Sequence, residues 1–419
     1  MTKLKPLLPC CALAVITALS VSSAHAIDLV ESYQRARTYD PQFQGAVAER
    51  DVNQSGAQQA KSAYYPEASF SRSQIQTQST PVQTITITQP ILSFDRLATL
   101  RQAEPRANFA TATFDSREQE LAQRVLKSVT DLIRAREAAV LNESKISNFE
   151  RQSARAKRMF ELGQGTVTDL RDIQVKYDQA RANQINLLVA VNAAERLYRS
   201  LTGVTPTDKD FTLPANHTTV PLPPLSEFKT QLEQSNPQLI ASRQSERIGE
   251  LEAQRVKASM YPTISMAHSR SSGVTDVNST GFTISMPLNA GNYYSSSAAA
   301  ANAIRAKEDR RFAEERARVE LDRLYGLVDA GQDAIKIKRA AIESAELSVE
   351  ANQKSYDAGV RSNIDVVNSI QVLFEVKNDY VVAVTQQAEN YLNLLMLAGR
   401  QPEPAMSVTG TFMLGGIER

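Results

Sequence analysis

The 419-residue chain has no tryptophan, two cysteines and three histidines. Cys10 and Cys11 both fall within the first 26 residues. There Lys3, Lys5, an apolar run from Leu7 to about Val21 and the small-x-small triplet Ala24-His25-Ala26 read as a secretory signal peptide, residues 1–26. Pro9 and Cys10, the residues before the two cysteines, fit a lipid-attachment box poorly. A mature chain without cysteine excludes disulfides and thiol chemistry. Neither His217 nor His268 has a Cys, His or acidic partner at metal-ligand spacing, and no phosphate-binding loop or dinucleotide fingerprint is present. No enzyme activity and no cofactor is expected. Removal of Lys3 and Lys5 lowers the basic residues from 47 to 45 against 46 acidic ones, a balance that gives no reason to expect nucleic acid. Beyond the signal, no stretch approaches the ~18 consecutive apolar residues of a transmembrane helix, which leaves a β-barrel as the membrane option.

Helix breakers are also scarce. Between Pro105 and Gly163 stand 57 residues with neither glycine nor proline, about 85 Å of helix at ~1.5 Å per residue. Gly163-Gln164-Gly165 makes a turn, and an unbroken stretch then runs to Gly203. In that return stretch Leu170, Ile173, Tyr177, Ala180, Leu187, Val191, Ala194, Tyr198 and Leu201 keep a 3-4 spacing, with Gln184 as the polar interruption, the pattern of a coiled-coil seam. After Gly359 two stripes run side by side: Val366, Leu373, Val376, Tyr380, Ala383 and Val367, Ile370, Phe374, Val381, Val384. Two stripes predict neighbours on both sides of that helix. Alanine-rich Ala298–Ala303 predicts close helix approach.

The chain repeats itself. KSAYYPEASF at 61–70 returns as KASMYPTISM at 257–266, so Lys61, Tyr65 and Pro66 map onto Lys257, Tyr261 and Pro262 at an offset of 196. Asp40-Pro41 maps onto Asn236-Pro237, Gly163 onto Gly359, Asp169 onto Asp365 and Gly203 onto Gly399 at the same offset, with Pro90 onto Pro287 at 197. The expected organisation is a first repeat, 27–222, with a helix, a β-hairpin over 67–92 and a long helical hairpin over 106–203. A second repeat, 223–419, follows with a hairpin over 263–289 and helices over 292–399. Proline-rich 206–224 is read as a crossover between copies.

Tyr65-Pro66 and Tyr261-Pro262 stop the first helices, because the residue before proline is pushed out of the helical region. The hydrophobic period then changes from 3.6 to 2. Ile85 and Ile87 alternate with Thr84, Thr86 and Thr88, and Phe282, Ile284, Met286 and Leu288 alternate with Thr283 and Ser285. Strands of about 9–12 residues suit a tilted bilayer crossing. Four strands per chain cannot close a barrel, since open edges in lipid leave unpaired backbone groups. The strands of several chains are therefore needed, with the Thr and Ser faces toward a wet lumen and the apolar faces toward lipid. His268, beside Met266 and Arg270, reads as an interfacial or lumen-facing side chain. Tyr64, Tyr65, Phe70, Phe94, Tyr261, Tyr293 and Tyr294 are candidates for the aromatic interface.

This order of features resembles the TolC family of outer-membrane export channels over the whole mature chain. The resemblance implies a mainly α fold with a small β part: a homotrimeric α-helical barrel of long coiled-coil hairpins, continued by a twelve-stranded transmembrane β-barrel. It further implies an outer-membrane duct with a long periplasmic extension. That duct would dock on a periplasmic adaptor protein and on an inner-membrane ABC exporter or proton-driven pump, for type I protein secretion or small-molecule efflux. A pore-less periplasmic coiled-coil scaffold or adaptor is the alternative reading.

The helical tips, FELGQGTVTDL (160–170) and YDAGVRSNIDV (356–366), contain two candidate capping boxes, Thr166 to Asp169 and Ser362 to Asp365, and two glycines suited to a left-handed turn. By the resemblance, Thr168, Asp169, Tyr356 and Arg361 form a periplasmic gate latch, with Arg361 bonding Thr168 or Asp169 and Tyr356 bonding Asp169. Asp365 and Asn368 then fall at a constriction ring; the type member of the family has aspartate where Asn368 stands. Gly163, Gly165, Val167, Gly359 and Val360 would meet the adaptor.

Overall fold

The computed structural model describes residues 28–74, 80–163, 165–207, 210–213, 222–273, 275–287 and 289–414. The expected signal segment, His217, Leu288 and part of the proline-rich crossover lie outside the described residues. Helix α1 (Leu29–Tyr39) is capped by Asp28 and buries Leu29, Tyr33 and Ala36, the face expected from its spacing. Asp40 ends α1 by donating its N–H to Ala36 O and starts α2 (Pro41–Lys61), where its carboxylate accepts the Phe43 N–H at 3.0 Å. A 3-10 turn over Ser62–Tyr64 leads into β1 (Glu67–Ser73) and β2 (Val82–Leu92). Next come α3 (Phe94–Arg101), α4 (Ala103–Glu161) and α5 (Val167–Thr202).

The same order then returns. Helix α6 (Leu225–Ser235) precedes α7 (Pro237–Ala258), and Asn236 occupies the place of Asp40, accepting the Leu239 N–H at 2.9 Å. Strands β3 (Thr263–Ser272) and β4 (Val277–Ser285) lead to α8 (Gly291–Asp357) and α9 (Asn363–Leu397). A closing helix, α10 (Pro402–Leu414), has no expected counterpart in the sequence reading; it packs on α9, α1 and α4.

The 59 residues of α4 and 67 of α8 correspond to about 88 and 100 Å of helix. Pro105 does not mark the start of α4, which begins at Ala103; a proline in the first turn removes no helical hydrogen bond. Of the α5 seam, Ile173, Ala180, Tyr198 and Leu201 are buried and its other members half-buried. Gln184 accepts a hydrogen bond from buried Asn142 at 2.8 Å, so its polar place in the seam is matched across α4. Helix α9 packs against both α8 and α4, as two stripes require. Glycine 249 of α7 meets Ala303 and Ala306 of α8, so the alanine-rich segment does permit close approach.

Two cores result. The larger unites Leu29, Tyr33 and Phe43 with Leu121–Ile133 positions of α4, Leu392–Met396 positions of α9, and Met406 and Phe412 of α10. The smaller, toward the helical tips, contains Phe149, Ile173, Val366, Val367, Ile370 and Phe374.

The four strands form one antiparallel sheet in the order β1-β2-β3-β4. Strand β1 has seven residues, shorter than expected; its last pair is Ser73 with Val82, and Pro81 before it has no N–H to extend the ladder. Along β2, Thr84, Thr86 and Thr88 are half-shielded while Ile85 and Ile87 are exposed, which marks a concave hydroxyl face and a convex apolar face. The register carries this through β3: Thr84 and Thr86 lie opposite Ser271 and Ser269, whereas Ile85 and Ile87 lie opposite Arg270 and His268. His268 therefore stands on the convex face, not toward the lumen.

Asp40 is 4% exposed and also accepts from the Arg124 guanidinium at 2.6 Å. Asp40→Ala removes a helix cap, worth about 1 kcal/mol, and strands a largely shielded arginine, for a total of about 3 kcal/mol. Asn236→Ala removes the corresponding cap and the bond from its amide to Leu397 O, but strands no charge. Denaturant midpoints of the two variants are expected to show the larger loss for Asp40→Ala; equal losses would refute the account of Arg124.

Candidate functional site

Each helical tip is built by the same three local devices. A glycine in the left-handed region, Gly163 (φ 72°) or Gly359 (φ 72°), reverses the chain, a conformation unfavourable to any residue with a Cβ. A hydroxyl residue then opens the next helix, and an aspartate three residues later closes the capping box. At the first tip the Asp169 carboxylate accepts from the Thr166 hydroxyl at 2.6 Å and from its N–H at 3.2 Å. At the second the Asp365 carboxylate accepts from the Ser362 hydroxyl at 2.8 Å and its N–H at 3.1 Å. These Ser362 bonds hold the Asp365 carboxyl below its ordinary value.

Of the latch residues, Tyr356 and Asp169 are brought together. Burial raises the Tyr356 phenol, and the Asp169 charge raises it further. No hydrogen bond joins the pair within the chain. The Arg361 guanidinium lies 4.0 Å from Asp365, one helical turn on. The reason is local, since the two residues are four apart across the start of α9. Thr168 is exposed, and Asn368 stands exposed one turn after Asp365.

The structure adds bonds between the two helical hairpins that periodicity does not reveal. Arg155 of α4 pairs with Asp357 at the end of α8, and Gln152 bonds Gln353. Gln353 also donates to Asp357 at 3.2 Å. Asn363, the first residue of α9, is 1% exposed and both of its amide atoms lack a partner. The outermost side chains are apolar: Leu162 is 65% exposed, Val167 53% and Val360 79%.

At the opposite end, Tyr65 and Tyr261 end their helices before Pro66 and Pro262, and both are exposed. Tyr261 packs edge-on to Phe94 at 5.9 Å. The residue that fixes the helix-to-strand entry is Tyr64. Its hydroxyl donates to Ser93 O at 2.7 Å and accepts from Ser93 N–H at 3.2 Å, clamping the start of β1 to the end of β2. Nothing in the repeat marks it, because the second copy has Met260 there.

Helices of some 100 Å that carry an open, two-faced sheet at one end and capped turns at the other define a protomer of a membrane duct. The family model for outer membrane efflux proteins matches residues 32–204 and 230–400, and the chain belongs to that family. It is therefore an outer-membrane channel protein of the TolC type with a periplasmic extension. It is 25% identical over 431 residues to the proteases secretion protein PrtF of Dickeya chrysanthemi, covering 94% of this chain and 93% of that one. It is likewise 25% identical to the alkaline protease secretion protein AprF of Pseudomonas aeruginosa, over 94% and 89% of the two chains. The fold is that of the Campylobacter jejuni CmeC outer membrane channel, with a TM-score of 0.76, 12% identity and coverage of 92% of this chain and 89% of that one.

The Asp365 cap yields a pH prediction with a definite sign. A carboxyl lowered in the folded state contributes above its ordinary value of 3.8 and loses that contribution as pH falls through the folded-state value. Hydrogen exchange in the first turn of α9, corrected for intrinsic rates, is expected to accelerate as the pH drops below 3.8. Asp365→Asn is expected to abolish that dependence at this turn.

Proposed function

We propose that the chain is one third of a trimeric duct for type I protein secretion, and that it works passively. It docks on a periplasmic adaptor and an inner-membrane ATP-driven exporter that supplies the energy. The observation that carries this reading is the four-stranded sheet. Among the described residues both edges, β1 and β4, lack a neighbour, one face is hydroxylic and the other apolar. Three such sheets joined edge to edge give twelve strands, two from each of the repeats 27–222 and 223–419. The helices point to the same assembly: Ile304, Phe312 and Val319 of α8 are each more than 60% exposed in the single chain. A pore-less scaffold has no use for an apolar convex sheet. Protein cargo is favoured over small molecules by the protease-secretion names of PrtF and AprF.

The tips form the periplasmic entrance. Asp169, Thr168, Tyr356 and Arg361 latch neighbouring helices in the assembled ring, and Asp365, with Asn368 a turn above, faces the constriction. Arg361, 57% exposed at its side chain and 4.0 Å from Asp365, is open to a further partner. The exposed Val167 and Val360, with Leu162, suit apolar docking by an adaptor, the neighbouring glycines Gly163, Gly165 and Gly359 leaving little side-chain bulk. Asn363, buried without a hydrogen-bond partner in the single chain, costs about 1–3 kcal/mol there, which favours a tip able to shift.

Purified protein is expected to run as a heat-modifiable oligomer and to conduct ions in planar bilayers. A monomer without conductance overturns the duct. Loss of a hydrogen bond to a charged group, about 1.5 kcal/mol, shifts a closed-to-open balance about tenfold. Arg361→Ser and Tyr356→Phe are therefore each expected to raise single-channel conductance; unchanged conductance in both would remove the latch.

A further inference from the structure

The strands contain four ionisable side chains, Glu67, Arg72, His268 and Arg270. Glu67 lies opposite Thr88 on the concave face and accepts from Arg96 at 2.7 Å. The other three share the convex face. Arg72 pairs in register with Gln83, Arg270 with Ile85 and Asn278, and His268 with Ile87 and Thr280. His268 Nδ1 lies 2.8 Å from the Thr280 hydroxyl. Neither arginine has a hydrogen bond or ion pair within the described residues, and no strand carboxylate shares their face.

Their height on the barrel is set by the apolar residues. On that face Phe70, Ile85, Ile87, Met266, Phe282 and Ile284 form the band that meets lipid. The band slopes across the hydrogen-bonded rows, as tilted strands require. On β1 Arg72, and on β3 His268 and Arg270, lie beyond the band, on the side away from the helices and toward the hairpin ends. An unpaired guanidinium is costly within the hydrocarbon and nearly without cost at its boundary. His268 and Arg270 are alternate residues of one strand, about 7 Å apart, and Arg72, two strand spacings across and two residues further along, lies about 12 Å from Arg270. Extended arginine side chains span that gap.

We infer that Arg72, His268 and Arg270 form a recognition patch for the phosphate groups of an anionic outer-leaflet lipid. The lipid's acyl chains lie along the apolar band. A guanidinium matches phosphate oxygens with paired N–H donors, and Asn278 and Gln83 add neutral donors on the same face. The occupant is a lipid and not free phosphate, because the two arginines adjoin the apolar band on the same sheet face. The inference rests on the barrel reading above.

The test uses the purified full-length protein, stripped of lipid in a neutral detergent, with diphosphorylated lipid A as the probe. The double variant Arg72→Gln/Arg270→Gln is expected to bind the probe at least about tenfold more weakly, with each single variant intermediate, and added salt is expected to weaken the native protein's binding. Dephosphorylated lipid A is expected to bind both forms alike and weakly. Equal affinity of native protein and double variant for the diphosphorylated probe would overturn the patch, as would native protein that binds the phosphate-free lipid as tightly as the diphosphorylated one. Competition by inorganic phosphate at the lipid's own concentration would overturn the lipid as occupant. Conductance of the double variant in planar bilayers reports separately on the pore. A conducting variant that loses the lipid supports the patch, and a native protein that does not conduct condemns the barrel on which it rests.

Discussion

The unpaired backbone groups along β1 and β4 are the constraint from which the rest of the architecture follows. In water such an edge is a liability; in hydrocarbon each orphaned N–H or C=O costs several kcal/mol. A four-stranded sheet with an apolar convex face must therefore find further strands before it can enter a bilayer. Only a second and third sheet of the same kind offer matching edges and matching faces. The helices then have no freedom to form an ordinary globule, because they hang from a ring whose radius is set by the strands. Their length and near-continuity are what a tube wall needs. Within that wall α8 tolerates Gly331, where a Cβ would lie 1.9 Å from Gln387 Oε1 and where Gln387 donates to Val328 O at 2.7 Å. The glycine makes room for a polar tie between α8 and α9.

The carboxylates at the tips have two sets of demands on them. Asp169 and Asp365 each complete a capping box, a bond set that neutralises orphaned amides at a helix start. The same oxygens are the acceptors a latch would use. A carboxylate has about four acceptor sites, so it can keep its cap while accepting one bond more from a neighbour. The caps position the latch groups, and the latch adds little local order. The cross-hairpin pairs Arg155–Asp357 and Gln152–Gln353 differ in kind. They join two helical hairpins of one protomer, so relative motion of the hairpins must break them.

Much of this was legible in the residues, and the reason is periodicity. A helical seam and a strand alternation are local patterns, so the α5 seam, the twin stripes of α9 and the threonine and isoleucine faces of β2 all lie where their spacing placed them. The repeat added independent weight, since Gly163, Gly203, Gly359 and Gly399 all take positive φ. The failures were of contacts that periodicity does not encode. Tyr64 clamps Ser93 across the hairpin, a bond between residues 29 apart. The face of His268 depended on register with Ile87, which no single strand reveals. Helix α10 begins with Pro-Glu-Pro, which suggests irregular chain, yet Ala405, Met406, Thr409, Phe412 and Met413 recur at helical spacing and are buried.

The distribution of charge along the duct bears on what it can discriminate. The concave strand face presents Ser69, Ser71, Thr84, Thr86, Ser269, Ser271, Ser279 and Thr283, with Glu67 neutralised by Arg96. Hydroxyls of this kind are well hydrated and bind neither charge sign strongly, so a moving chain finds no deep minimum there. The groups of the proposed constriction lie at the other end, about 100 Å of helix away. A threefold set of Asp365 carboxylates in a narrow passage would repel anions and slow them in proportion to the field it focuses. Asn368 in place of a second acid halves the fixed charge at that point while preserving the hydrogen-bonding surface. In the proposed assembly selection would therefore belong to the narrow periplasmic end, with the barrel end left to conduct.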